Sequence, residues 1–263
     1  MGTEHTGRTT GGVLVCLLGG FRILKLGSPI NIRPGGRAQS IFSALALGPR
    51  PTGIPRDDLV QLLWPETEAG PAVQALHTLV YSLHRSLGDA LDGQGPIVNV
   101  DGRYRLNTEA GVEVDVDRFD GVVDAADRLV RVGEPDAALR SYRDAVGLYA
   151  GDLVVGSEVQ HVLERERLRA RYLRVRATLA NHHLAKGEMD VALGHALDIL
   201  AHDPYREDAH RMAMRCYVRL GLRAQALRQY RICRDVLMTE FEAPPERATE
   251  ELYELVRLEP VRV

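Results

Sequence analysis

A seven-residue segment that begins with glycine occurs three times in the second half of the chain, starting at Gly133, Gly187 and Gly221. The last two copies are 34 residues apart, which is the period of tetratricopeptide repeats. The first copy lies 54 residues before the second, so a segment containing Gly151-Asp152-Leu153 interrupts the array. Apolar residues at helical spacing follow each copy. The sequence therefore predicts an all-α domain over residues 111–263, in which paired, tetratricopeptide-like helices stack into a short solenoid.

The first 110 residues show a different pattern, in which short apolar strands alternate with helical segments. Glycine and proline break the apolar residues between 13 and 32 into short strands, which predicts a small antiparallel sheet. Three helices and a β-hairpin are then predicted, over residues 37–47, 56–64, 71–87 and 97–106. Asp101-Gly102 is a two-residue hairpin turn signal. This order predicts an α+β winged helix-turn-helix domain over residues 1–110.

The third predicted helix is amphipathic. Its apolar stripe comprises Val73, Leu76, Val80, Leu83 and Leu87. At 100° per residue, the opposite face presents Gln74, Thr78, Tyr81, Ser82 and Arg85. Arginine can pair with a guanine edge, glutamine with adenine, and hydroxyl groups with phosphates, so this set is suited to a DNA groove. A solvated polar face is the alternative.

Three further arginines are candidates for contact with DNA phosphates. Arg103 and Arg105 alternate with Tyr104 and Leu106 in the hairpin, so the two cations share the face opposite the apolar one. A basic wing of this kind can straddle the phosphate backbone. Arg37 follows Gly36 at the start of the first helix, where free backbone N–H groups favour anions. A simple surface charge at Arg37 is equally compatible with the sequence.

Composition limits the other classes of function. The net charge of −3 excludes a uniformly basic nucleic-acid-binding surface, so any such site must be local. Three cysteines without C-x-x-C spacing are expected to be buried thiols in a reducing compartment. The apolar run at residues 13–18 is too short to cross a bilayer, and a cytoplasmic protein without membrane contact is expected.

Signals for catalysis, cofactors and metals are weak. No catalytic set is visible, and the segment Gly35–Ser40 lacks the ending of a phosphate-binding loop. His182-His183 with Glu188 does not match a metal-ligand spacing. We therefore expect no enzyme activity, cofactor or metal. A run of arginines between residues 165 and 176 is compatible with a second phosphate-binding patch, but a solvated helix face is favoured.

Several motifs together carry a family resemblance. In the first half these are Leu62-Leu63-Trp64-Pro65-Glu66, the segment from Ala75 to Gly88, and Gly102-Arg103-Tyr104-Arg105-Leu106. They resemble the OmpR-type winged helix of the Streptomyces antibiotic regulatory proteins. Downstream, Val114-Asp115-Val116-Asp117-Arg118-Phe119, Leu148-Tyr149-Ala150-Gly151-Asp152-Leu153, Asp203-Pro204-Tyr205-Arg206-Glu207 and Ala226-Leu227-Arg228-Gln229-Tyr230 resemble the bacterial transcriptional activation domain of that family.

The resemblance implies an activator that binds direct repeats of double-stranded DNA near a promoter. It also implies control of a secondary-metabolite gene cluster, contact with RNA polymerase including its sigma subunit, and a homodimer or a side-by-side dimer on DNA. The third helix would be the recognition helix, with His77 joining its candidate contacts, and Arg103 would lie in the wing. Ser82 and His84 stand where the family often has arginine, which would remove phosphate contacts. A protein-interaction adaptor with weakened DNA binding is therefore the alternative.

Overall fold

The computed structural model describes residues 12–33, 35–154 and 159–262. Within these ranges, the first part of the chain forms strands β1 to β7 and helices α1 to α3. The strands are β1 (Val13–Cys16), β2 (Arg22–Lys25), β3 (Ser28–Ile30), β4 (Ile54–Pro55), β5 (Ile97–Val100), β6 (Arg103–Leu106) and β7 (Val112–Val114). The helices are α1 (Arg37–Leu47), α2 (Arg56–Leu63) and α3 (Ala69–Leu87).

These strands form two small sheets. The first sheet has the strand order β3-β2-β1-β7, and β7 pairs with β1 in parallel. An antiparallel sheet was predicted, so the parallel strand after residue 110 is an addition that the sequence pattern did not reveal. The second sheet has the order β4-β6-β5. Its hairpin turns at Asp101 and Gly102, which both have positive φ, as predicted.

The apolar faces of the three helices supply buried residues to this part of the molecule. Fully or almost fully buried side chains come from α1, α2 and α3, and include Ile41, Phe42, Leu59, Leu63, Leu76 and Leu87. Helix α3 begins two residues before the predicted start, so Pro71 lies in its first turn rather than at its first position. Proline is tolerated there because backbone N–H groups of the first turn have no partner within the helix. The predicted winged helix-turn-helix is confirmed.

Helices make up the rest of the described chain. They are α4 (Asp115–Arg131), α5 (Pro135–Leu148), α6 (Val159–Ala185), α7 (Met189–His202), α8 (Glu207–Arg219), α9 (Arg223–Phe241) and α10 (Arg247–Leu258). The residues group into two compact units. One contains the described residues up to Val122 with those from Gly147 to Leu168, and the other contains Val123–Val146 with the residues from Arg169 onward.

The three glycine-led segments form the same turn. Gly133, Gly187 and Gly221 have φ values of 82°, 79° and 77°. In each turn the glycine N–H bonds to the carbonyl three residues back, and the next N–H bonds to the carbonyl five residues back. This is the Schellman motif, which closes the preceding helix and needs a left-handed residue at the glycine position. The common geometry confirms the predicted helical repeat.

The interruption in the repeat array belongs to the first compact unit. Leu153 forms an isolated bridge with Leu18 and is only 1% exposed. The N–H of Gly19 donates to the carbonyl of Asp152 at 3.0 Å. A Cβ atom on Gly19 would lie 2.6 Å from the carbonyl oxygen of Ala150, so glycine is required for this close approach. The extra segment therefore contacts the chain just after β1.

Candidate nucleic-acid interface

One face of α3 carries all six of the residues predicted there as DNA contacts. Its buried side comprises Ala72, Leu76, Leu83 and Leu87. The opposite side is exposed and includes Gln74, His77, Thr78, Tyr81, Ser82 and Arg85. Tyr81 is 65% exposed, although it is a large aromatic residue. The helix therefore offers hydrogen-bonding groups and one aromatic ring to solvent along about three turns.

The exposed side chains on α3 differ in whether they already form hydrogen bonds or ion pairs within the protein. The hydroxyl of Thr78 donates to the backbone carbonyl of Gln74 at 2.9 Å, which leaves its oxygen able to accept. Among the residues that the structure describes, Arg85 has no ion-pair partner. Its guanidinium can therefore form a two-point contact with a guanine edge without breaking a bond within the protein.

His84 lies next to this face, but its side chain contacts other parts of the protein. Its Nε2 atom is 2.9 Å from the carbonyl oxygen of Gly93. Its ring also lies within 4 Å of the positions at which Cβ atoms would stand on Gly88 and Gly95. His84 therefore links the end of α3 to the loop before β5. Gly88 and Gly95 are the sequence signal that could have indicated this close packing.

The two wing arginines lie on the face that the sequence predicted, opposite Tyr104 and Leu106, which are buried. Both already have partners. Arg103 donates through Nε to the carbonyl of Thr52 at 3.0 Å and through Nη2 to the carbonyl of Gly53 at 2.9 Å. Arg105 forms an ion pair with Glu109 at 3.2 Å. Arg103 therefore has a structural role that its sequence context did not indicate.

Arg37 occupies the first position of α1, as predicted. The helix begins after Gly36, and no side chain caps its N-terminus. The Arg37 guanidinium carbon lies 5.7 Å from the centre of the Trp64 ring, within the range of a cation–π contact. This contact holds the cation beside the end of α2.

Three arginines of the run in α6 pair with carboxylates of α4. In the first compact unit, Arg167 contacts Asp120 at 2.6 Å. In the second, Arg174 contacts Asp127 at 2.9 Å, and Arg171 pairs with Asp124. These pairs neutralise cations that the sequence left open as a phosphate-binding patch. They support a structural role for the run.

Metal-ligating side chains and thiols were also compared with the sequence-based expectations. The described residues include no group of three or more metal-ligating side chains in suitable positions. His183 forms a hydrogen bond with Glu188 instead. Burial raises the pKa of the Cys16 and Cys216 thiols to about 11, so both are protonated at neutral pH. No helix in the described ranges has the length and apolarity needed to cross a bilayer.

Comparison with known proteins shows that the chain is similar to regulators of transcription. Residues 114–257 match the bacterial transcriptional activator domain. The chain is 27% identical over 250 residues to the transcriptional regulatory protein MoaR1 of Mycobacterium tuberculosis, covering 93% of this chain and 79% of MoaR1. It is 26% identical over 242 residues to the regulatory protein DnrI of Streptomyces peucetius, covering 89% of this chain and 87% of DnrI.

Two longer proteins contain a similar region. The regulatory protein AfsR of Streptomyces coelicolor is 25% identical over 200 residues, which covers 76% of this chain and 20% of AfsR. The solved structure of Mycobacterium tuberculosis EmbR, in complex with a low-affinity phosphopeptide, matches with a TM-score of 0.68 and 19% identity. This match covers 94% of the chain and 65% of EmbR, so the chain spans less than two thirds of that relative. At this identity the likeness to EmbR supports the fold alone.

Proposed function

Because the chain belongs to the family defined by the bacterial transcriptional activator domain and is a transcriptional regulator of the Streptomyces antibiotic regulatory protein type, we propose that it activates transcription by binding duplex DNA. Residues 1–110 form the DNA-binding domain in this proposal, and residues 111–263 form the activation domain. The target is a pair of direct repeats near the promoter of a secondary-metabolite gene cluster. The activation domain recruits RNA polymerase, including its sigma subunit.

The observation that carries this proposal is the exposed face of α3. A helix that buries Leu76, Leu83 and Leu87 while exposing Gln74 and Arg85 can enter a major groove without disturbing its own core. Bidentate side chains on such a helix distinguish base pairs. The six exposed residues are therefore proposed as the reading surface. Arg37, Arg103 and Arg105 are proposed as phosphate contacts that fix the register on the duplex.

The experiment is a fluorescence-anisotropy titration with the intergenic DNA beside the coding sequence, compared with a scrambled duplex of equal length. Sequence-specific proteins typically bind about 10³-fold or more tightly to their site than to other DNA. A DNase footprint on the same fragment should show protected segments repeated at about one helical turn, if two copies bind side by side. Equal affinity for both duplexes would contradict the proposal.

Recruitment is tested separately by single-round transcription from the same fragment with purified polymerase and sigma subunit. The proposal predicts more transcript when the protein is added and no increase when the repeats are scrambled. DNA binding without any increase in transcript would restrict the protein to DNA binding and would remove the activating step.

One observation favours an adaptor as the second candidate. His84 is bonded to Gly93, and Ser82 carries no charge, so Arg85 is the permanently charged residue on the exposed face of α3. Because phosphate contacts dominate DNA affinity, such a face binds DNA less tightly than one with three arginines. An adaptor would bind its protein partner through the helical domain without DNA. Loss of activation on scrambling the DNA repeats distinguishes the activator from the adaptor.

A further inference from the structure

A small cavity lies beneath the loop that joins α1 to β4. Its volume is about 130 Å³, and ten residues line it. Leu45, Ile54 and Leu106 form an apolar interior, and prolines of the loop close one side. Apolar cavities of about 150 Å³ hold benzene. The space beneath this loop therefore matches a single aromatic ring.

The charged groups that line the cavity have one sign. Arg50 and Arg105 are its charged lining residues, and Thr108 adds a hydroxyl group. The carboxylates that pair with these arginines, Asp117 and Glu109, are not part of the lining. Arg105 donates one N–H group to Glu109, and Arg50 donates two, to Asp117 and to the carbonyl of Ala46. Each guanidinium has five N–H groups, so further donors remain for a ligand. An anionic group at the mouth of the cavity complements this lining.

The cavity is mechanically linked to the wing. Arg105 and Leu106 of β6 form part of its wall, and β6 also carries Arg103. Arg103 donates to the carbonyls of Thr52 and Gly53, which belong to the loop that covers the cavity. Movement of this loop must therefore strain or release Arg103. A ligand that holds the loop in one position also holds this wing arginine.

We propose that this cavity binds a small aromatic carboxylate of the size of benzoate, with its ring among Leu45, Ile54 and Leu106 and its carboxylate on Arg105 and Arg50, and that occupancy fixes Arg103. The effect on DNA rests on the proposed function, whereas ligand binding does not. By thermodynamic linkage, a ligand that favours one loop position changes DNA affinity only if DNA also distinguishes the two positions.

Ligand binding is tested on the full chain without DNA, by saturation-transfer NMR and calorimetric titration with benzoate and its neutral analogue benzamide. The proposal predicts that benzoate binds and that benzamide binds about tenfold more weakly, because an ionic hydrogen bond is lost. Arg105→Gln should weaken benzoate by about the same factor, whereas the control Arg56→Gln, an exposed arginine outside the cavity lining, should not. Equal binding of benzoate and benzamide, or no binding of benzoate, overturns the proposal.

Two further measurements test separately where benzoate binds and whether its binding affects the loop that bonds to Arg103. Leu45→Trp places a larger side chain in the cavity and should abolish benzoate binding; undiminished binding in a folded variant overturns the assignment of the site. Hydrogen exchange of the Gly53 amide, which donates to the Pro49 carbonyl at 2.8 Å, should slow when benzoate is bound. Unchanged exchange at saturation overturns the link to Arg103.

The DNA arm uses a fluorescein-labelled duplex at low salt, with and without saturating benzoate. The proposal predicts at least a threefold change in the Kd of the wild-type protein and no change for Leu45→Trp, whose larger side chain fills the cavity. If the ligand-free protein binds no duplex, the proposed function fails, and the benzoate titrations still decide the cavity. If DNA binds and benzoate binds but the Kd does not change, the regulatory part is wrong.

Discussion

The carboxylate of Asp115 accepts a hydrogen bond from the backbone N–H of Leu18 at 2.9 Å, although the two residues are 97 positions apart. The same carboxylate accepts the N–H of Leu17, also at 2.9 Å. Asp115 begins α4 and is 6% exposed. Burial raises the pKa of this carboxyl, and the two backbone hydrogen bonds oppose the increase. The contact fixes the chain after β1 against the start of α4.

Removal of this carboxylate should be costly, because two buried N–H groups lose their acceptor. Asp115→Ala is expected to lower the free energy of unfolding by about 2–4 kcal/mol, measured by urea denaturation. The control Asp117→Ala removes an exposed partner of Arg50 and should cost less than about 1 kcal/mol. Equal effects of the two substitutions would show that Asp115 is not a structural acceptor.

Substitution by alanine should change stability in opposite directions at two glycines, one in a repeat turn and one inside a helix. Gly221 has a φ of 77°, so Gly221→Ala should destabilise the protein by about 1 kcal/mol. Gly194 lies inside α7, and a Cβ atom there would meet no atom within 4 Å. Gly194→Ala should therefore stabilise the protein by about 0.5–1 kcal/mol. Thermal unfolding measures both, and destabilisation by both would contradict the helix assignment at residue 194.

His195 should make the helical domain sensitive to acid. Burial and the neighbouring Arg176, whose Nη1 lies 2.9 Å from the His195 Nδ1 atom, lower its pKa from 6.5 to about 4. The unfolded chain therefore takes up a proton below pH 6.5, whereas the folded chain does not until about pH 4. Stability from this residue is lost as the pH falls from 6.5 to 4.

His195→Asn keeps a hydrogen-bond acceptor for Arg176 and removes the titration. The variant should lose less Tm than the wild-type protein between pH 6.5 and 4.5, by about 2 °C or more. His77→Asn, at an exposed position of α3, serves as the control and should follow the wild-type curve. Parallel curves for wild type and His195→Asn would rule out this residue as the acid-sensitive group.

Arg85 separates base reading from phosphate binding. If Arg85 contacts a guanine edge, Arg85→Ala should weaken binding to the specific site by about 1–3 kcal/mol and leave binding to scrambled DNA nearly unchanged. Anisotropy titrations on both duplexes measure the difference. An equal loss on both would identify Arg85 as a phosphate contact, and no loss on either would remove it from the interface.

Arg103 should affect DNA binding and stability together. Arg103→Ala removes hydrogen bonds to the carbonyls of Thr52 and Gly53, and a cost of about 1–2 kcal/mol in unfolding free energy is expected. The same change should weaken binding to all DNA sequences and reduce the salt dependence. Arg105→Ala removes one exposed ion pair and should cost less stability. A stable Arg103→Ala protein with an unchanged salt slope would exclude both roles.

The sequence determined the features that depend on neighbours along the chain. Helical periodicity placed Leu76 and Leu87 inside and Tyr81 and Arg85 outside, because 3.6 residues per turn fix which side chains share a face. The turns at Asp101-Gly102 and at the repeat glycines were also predictable from local sequence. In both cases the backbone has positive φ, which strongly favours particular residue types.

Only the tertiary structure decided which distant groups meet. Strand β7 returns to pair with β1, Asp115 accepts the N–H of Leu18, and Arg103 bonds to a loop 50 residues earlier. The partners of the arginines in α6 could not be predicted from the sequence. The positions of arginines along a helix are the same whether the side chains face water, phosphate or a carboxylate of another helix. Such contacts arise when packing brings separate segments together, and neither the period of a helix nor the alternation of a strand encodes which segment will be the neighbour.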